Sequence, residues 1–432
     1  MGEITALAQR IAAGELSAVG AAEEAIARIE QRDDEINAVV VRDFDRALES
    51  AREADRRRAA GDRGPMLGVP MTVKESYDVA GLPTTWGLTE HREFIAQRDA
   101  RAVRRLKDAG AVILGKTNVP PSLADFLSVN PIYGATHNPH LHGRSSGGSS
   151  GGSAASLAAG YVTAEIGSDI GGSIRLPAGF CGVWGLKPTF GLVSREGHWL
   201  PGTDGGELPL SVAGPLARTP EDISLLLGII ADHPLPEPRR TDLAGARIAV
   251  IDRHPVGRID SEVARVIDER CAAAEARGAH IDRSPTLPDL GALHRDYIKL
   301  LLTVLSRGAA PAGIDPVTLP AWFNLLDQQQ RTVRAWERTL SDQYDAVLAP
   351  VFGTTAFPLD ELTMERRTIL IDGEETPCGE QLAWAGLATY PNLPSVSFPA
   401  GTGGDGLPIG LQLIGRRFAE PEIIAMAAQL AT

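Results

Sequence analysis

The chain has 432 residues and a net charge of -13, with 43% hydrophobic and 22% charged residues, proportions of a globular protein rather than a disordered one. The acidic balance argues against nucleic acid or an anionic membrane as partner, because both want a basic footprint. No apolar run approaches the roughly 18 residues of a membrane helix, and the opening MGEITALAQR lacks the basic and apolar regions of a signal peptide. Cys181, Cys271 and Cys378 are widely spaced and odd in number, which predicts buried thiols in a reducing cytoplasm rather than disulfides or a zinc site.

In chain order, residues 3–30 read as amphipathic helix broken at Gly14, with a restart near Ser17. Residues 44–60 are charged and helical in pattern. From Gly68 the texture changes to short apolar segments: GVPMTVKESYDV, then a turn at GLPTTWG. A basic helix at 99–109 precedes the strand candidate AVIL at 111–114. Proline and polar residues dominate 118–145. The Gly/Ser block 145–153 runs into the small-residue helix pattern SAASLAAG and then VTAEIGSD, a strand. Strands continue at 211–218 and 247–251, and residues 232–245 are the best candidate for an internal linker. Residues 261–277 and 289–340 read as helical layers over a sheet. The segments NLPSVSFPAG and LPIGLQLIG follow, then a final helix from about 420. This alternation predicts an α/β protein with a large sheet; length alone allows two or three domains.

Two motif matches are weak. Gly110–Thr117, GAVILGKT, satisfies the Walker A pattern, but a P-loop needs a strand before it and a helix after it. Here a helix pattern precedes, and Asn118-Val119-Pro120-Pro121 discourages one after. G-x-S-x-G occurs twice, centred on Ser149 and Ser150, and would suggest a Ser-His-acid triad. The histidines after Ser150 are His198, His233, His254, His280 and His294, with none beyond, where such a fold usually places its histidine.

A serine without histidine needs another base. Only five of the 42 basic residues are lysines. Lys74 lies in the strand-like run VPMTVKESYDV, where it is either an edge-strand lysine in solvent or a buried amine whose pKa burial lowers. A neutral lysine can serve as base, as in Ser-Lys variants of the triad. Ser173 lies in GSDIGGSIRLP. Gly171 and Gly172 let the backbone turn sharply, so that amides of Ile170, Gly171, Gly172 and Ser173 could cradle an oxyanion; a plain Gly-Gly turn is the alternative. Asp169 and Arg175 flank the site and read as loop-ordering residues.

Taken together, VPMTVKESYDVAGLPTTWG, GAVILGKTN, SSGGSSGGSAASLAAG and GSDIGGSIRLPAGFCGVWGLKPTFG resemble the amidase signature family. The later AGPLART and LPSVSFPAG…GLPIGLQLIG segments are similar too. The segments occur in order and span the chain from the first helix almost to its end, most weakly over 232–330. The resemblance implies one α/β domain over residues 1–432, with a twisted mixed sheet covered by helices on both sides. Within it, a helical segment (about 1–60) and a catalytic core (about 64–230) would precede a variable helical region (about 255–345) and a C-terminal return (about 346–432). It implies Lys74 as general base, Ser149 as bridging serine, Ser173 as nucleophile, and a cis Gly148–Ser149 peptide. Ser150 would support the network by bonding to Lys74 or to the nucleophile loop. The implied activity is hydrolysis of amide-type C–N bonds, extending to esters or carbamates as in a urethanase-like subtype, with no metal or organic cofactor. The implied partner is a small molecule, and the implied state a cytoplasmic monomer or homodimer. The glutaminase subunit of a tRNA-dependent amidotransferase shares these motifs and is the alternative. Ser146 stands where many relatives have proline. Residues 289–330, the loop 118–135, Trp384 and Tyr390 are the candidates to line an acyl pocket.

Overall fold

The N-terminal helix pattern resolves into two helices, Glu3–Ala13 and Ala18–Ile36. Gly14 ends the first in the left-handed region, φ 76°, where glycine meets no steric penalty. Ser17 caps the second by accepting the Gly20 amide at 2.9 Å. The computed structural model describes residues 1–203, 206–308 and 316–431.

Two sheets organise the chain. The smaller has the order Val39–Arg42, Val112–Thr117, Pro70–Lys74, with the last two strands parallel. The predicted strand at 111–114 therefore continues through Gly115 and Lys116. Gly115 is required there, because a Cβ would lie 2.0 Å from the Val41 carbonyl oxygen. Lys116 is a strand residue, and the nucleotide-loop match is coincidental. The larger sheet has eight strands, in the order His280–Asp282, Arg247–Val250, Ala346–Pro350, Pro408–Ile414, Ser395–Thr402, Trp184–Lys187, Val212–Ala217, Ala164–Asp169. Its first three strands are parallel and the remaining pairs antiparallel.

Alternation along the buried central strands places apolar side chains on both faces. On Ala346–Pro350, Ala346 and Leu348 join one hydrophobic cluster while Val347 and Ala349 join another. Helices Ser261–Ala276 and Glu420–Leu430 cover the first face through Val266, Ile267, Ile423 and Met426. Helices Leu290–Leu305, Leu319–Asp342 and Leu382–Thr389 cover the second through Tyr297, Trp336 and Trp384. The molecule is thus a single mixed α/β domain. The 232–245 stretch does not separate domains, because Leu243 within it is fully buried in the same cluster as the large sheet.

Candidate active site

Lys74 is the last residue of Pro70–Lys74, an edge strand of the small sheet. The edge position matches one sequence reading, but the side chain is 0% exposed. Its Nζ donates to Ser149 Oγ at 2.7 Å and to Ser168 Oγ at 2.9 Å. Burial pushes its pKa down to about 7; Asp169 and Glu165 oppose this and Arg195 assists.

Ser149 follows a cis peptide from Gly148 and lies two residues before helix Gly151–Ala158, whose N-cap is Ser150. The Gly/Ser block is packed, not a flexible linker. A Cβ on Gly148 would lie 2.3 Å from the Asp125 carbonyl oxygen, and one on Gly152 would lie 2.2 Å from the Asn118 amide. Only glycine permits these approaches. The Ser150 amide donates to the Ser173 carbonyl at 3.1 Å, tying the two serine segments together. The Ser150 hydroxyl, however, bonds the Ser168 backbone at 3.4 Å. The second partner of Lys74 is Ser168, a residue that sequence reasoning missed. The available signal was a hydroxyl inside the wholly buried strand Ala164–Asp169, since a buried hydroxyl must find a partner.

Ser173 is 7% exposed and sits after Gly172, φ 97°, at the approach to helix Arg175–Cys181. Asp169 braces this turn: Oδ1 accepts the Gly172 amide at 3.0 Å and Oδ2 the Ile174 amide at 3.1 Å. Arg175 meets the same carboxylate through Nη2 at 2.9 Å and Nε at 3.0 Å, and its other donors reach Gln412, Thr389 and the Ala385 carbonyl. Burial alone would raise the Asp169 pKa, but Arg175, with help from Lys187, holds it at about 2. Both residues are saturated with structural partners, in keeping with a loop-ordering role. The Gly172 amide is also spent on Asp169. Of the four amides expected to converge on an oxyanion, this one is engaged elsewhere.

His198, the first histidine after the serines, is fully buried against Ser76 Oγ (2.9 Å) and Arg195 Nη2 (3.1 Å). Burial, with Arg195 and Lys74 nearby, holds its pKa well below the usual value. Its hydrogen bonds therefore go to Ser76 and Arg195, not to the two candidate serines.

Ser173 opens into a cavity of about 210 Å³ whose walls include Phe126, Leu301, Leu302, Leu305 and Leu382. Larger surface clefts, such as the charged one lined by Arg46, Glu53 and Arg57, include none of the candidate relay residues. The loop 118–135 and helix Leu290–Leu305 contribute to the cavity as expected. Residues 309–315 of the expected region lie outside the described residues. Trp384 and Tyr390 do not contribute; both are fully buried in the cluster behind the large sheet, and Leu382 from the same helix takes the place at the wall. The loop carrying Leu123–Phe126 is pinned by Arg367, a buried residue not foreseen from the sequence. Its guanidinium spans Asp125 (3.2 Å) and Asp360 (3.0 Å).

A family model, Amidase, matches residues 21–310 and 320–424. A putative amidase, AmiB2, from Mycobacterium tuberculosis (strain ATCC 25618 / H37Rv) is 35% identical, covering 98% of this chain and 94% of its own. A glutamyl-tRNA(Gln) amidotransferase subunit from Moorella thermoacetica is 32% identical, covering 96% and 92%. Among solved structures, 6-aminohexanoate cyclic dimer hydrolase in complex with substrate superimposes with a TM-score of 0.84 at 28% identity, covering 99% of this chain and 96% of that one. The chain belongs to the amidase family. It is an enzyme of the class that hydrolyses amide C–N bonds.

Proposed function

We propose that the chain is a small-molecule amidase that forms an acyl-enzyme on Ser173 and takes substrates with a compact apolar acyl group. The observation that carries this is the 2.7 Å contact of buried Lys74 Nζ with Ser149 Oγ, beside a serine that opens into a largely apolar cavity.

Neutral Lys74 takes the proton of Ser149, and Ser149 takes that of Ser173. The Ser173 oxygen attacks the substrate carbonyl carbon, forming a C–O bond and placing negative charge on the carbonyl oxygen. The amides of Ile170, Gly171 and Ser173 receive that charge, while the Gly172 amide, held by Asp169, keeps the turn in shape. The proton on Lys74 returns through Ser149 to the leaving nitrogen, the C–N bond breaks and the amine departs. Water then gives its proton to the same relay and attacks the acyl ester. Ser173 leaves with a proton, the acid is released and Lys74 is neutral again. Esters and carbamates present the same acyl carbon and fall within the proposal as secondary substrates.

The cavity also bears on the glutaminase alternative. A glutamine α-carboxylate wants a cation, yet the charged residues among the described cavity walls are Asp125 and Glu365, both acidic. Its volume lies below the roughly 300–1,000 Å³ of pockets for drug-sized ligands, which favours a short aliphatic or single-ring acyl group. A p-nitroanilide series from acetyl to octanoyl, with benzoyl and free glutamine, tests this. Each buried methylene contributes about 0.8 kcal/mol, so kcat/KM should climb about fourfold per carbon until the cavity is full. Glutamine turning over faster than every anilide would overturn the proposal.

A further inference from the structure

The turn that carries Ser173 is held from two sides. Asp169 fixes the peptide between Gly171 and Gly172 by accepting its N–H. The preceding peptide, between Ile170 and Gly171, is fixed from helix Leu290–Leu305, where the Tyr297 hydroxyl donates to the Ile170 carbonyl at 2.8 Å. Tyr297 is fully buried. Its ring lies so close to Gly386 that a Cβ there would sit 2.8 Å from it, and Tyr390 packs edge-on with centroids 6.5 Å apart. A side chain so confined has one place for its hydroxyl.

A trans peptide is planar, so its C=O and N–H point in opposite directions. Anchoring the Ile170 oxygen on the helix side therefore sets the direction of the Gly171 N–H away from Tyr297. Gly171 lines the cavity together with Ser173. A hydrogen bond at the oxygen end of a peptide also polarises it and strengthens donation from the nitrogen end. We propose that Tyr297 is a positioning residue for the reaction, holding the Gly171 N–H on the carbonyl oxygen of the substrate as that oxygen becomes negative. This rests on the reading of Ser173 as the acylated serine.

The test is Tyr297→Phe, which keeps the packed ring and removes only the hydroxyl. It is compared with the wild type for kcat, KM and affinity for an aldehyde analogue of the preferred acyl group, which adds to Ser173 as a hemiacetal. Deleting a whole oxyanion donor costs about 10²–10³ in rate. Misaiming one should lower kcat about tenfold, leave KM within about twofold and weaken the aldehyde by the same tenfold. A purely structural tyrosine would shift the thermal midpoint without this matched loss. Tyr297→Phe with kcat and aldehyde affinity both within twofold of the wild type would overturn the role, as would a kcat loss without any loss of aldehyde affinity. Ser173→Ala separates the two levels. If that variant binds the aldehyde as tightly as the wild type, the acyl-enzyme reading fails and takes the role of Tyr297 with it. If it loses the aldehyde while Tyr297→Phe retains it, only the positioning role fails.

Discussion

Lys74 and Lys187 occupy matching positions in two different sheets. Each ends a strand buried along its whole length, and each is fully buried itself. Burial pushes both to about 7; for Lys187, Arg175 adds to the effect while Asp169 and Glu420 oppose it. Their partners differ in kind. Lys74 meets two serine hydroxyls, whereas Lys187 donates to the carbonyls of Pro188 (3.0 Å) and Leu393 (2.8 Å). A carbonyl has no proton to surrender. A lowered lysine pKa therefore does not by itself mark a base; the mark is a lowered pKa beside a group that can pass a proton on.

The strongest way to break this comparison is to remove the relay. Ser173→Ala and Lys74→Ala should each lower kcat on the preferred anilide by about 10⁴–10⁶, and a Lys74→Ala enzyme retaining a tenth of its activity would place the base elsewhere. Ser168→Ala should cost about ten- to fiftyfold in kcat, because the amine of Lys74 loses the second hydroxyl that fixes its position; an effect below twofold would make Ser168 mere packing. The pH profile tests the protonation state. Only neutral Lys74 can act, so kcat/KM should fall about tenfold per pH unit below an apparent pKa near 7. A profile flat from pH 5.5 to 8.5 would contradict this.

Lys187→Met should show the smallest catalytic effect, with kcat within about threefold of the wild type. Stability should fall by about 1–3 kcal/mol as two buried carbonyls lose their donor, measurable by urea unfolding. The pH dependence has a definite sign. Both lysines have folded pKa values near 7, below the roughly 10.4 of an unfolded chain. Between these values the unfolded chain binds protons that the fold does not, so stability rises with pH across the window. Lys187→Met should remove its share of that slope.

The legible parts of this molecule are those where chemistry is local. Gly14 and Ser17 announce a helix stop and start by their own conformational preferences, and VTAEIGSD reads as a strand from its run. The misread parts depend on what lies opposite in space. The linker expected at 232–245 fails on one leucine, Leu243, whose partners are distant in sequence. Trp384 and Tyr390 are misplaced because helix Leu382–Thr389 is buried around almost its whole circumference; with no polar stripe, nothing in its sequence says which face meets the cavity. Ser168 and Arg367 escape the sequence reading for the same reason, since their roles come from partners across the fold, although a hydroxyl in the strand run of Ser168 was itself a signal.

The scarcity and burial of lysine also decide how the protein meets the outside world. Lys74, Lys116 and Lys187 are fully enclosed, which leaves Lys107, half-buried in an ion pair with Asp99, and the exposed Lys299 as the remaining lysine side chains. Amine-directed coupling of the native enzyme, to a dye, a bead or a crosslinker, is thereby confined to two side-chain addresses, one of them on the helix that carries Tyr297. The surface instead presents arginine, which such reagents ignore. An immobilised preparation should accordingly hold its molecules in few orientations, with the amines of Lys74 and Lys187 untouched inside.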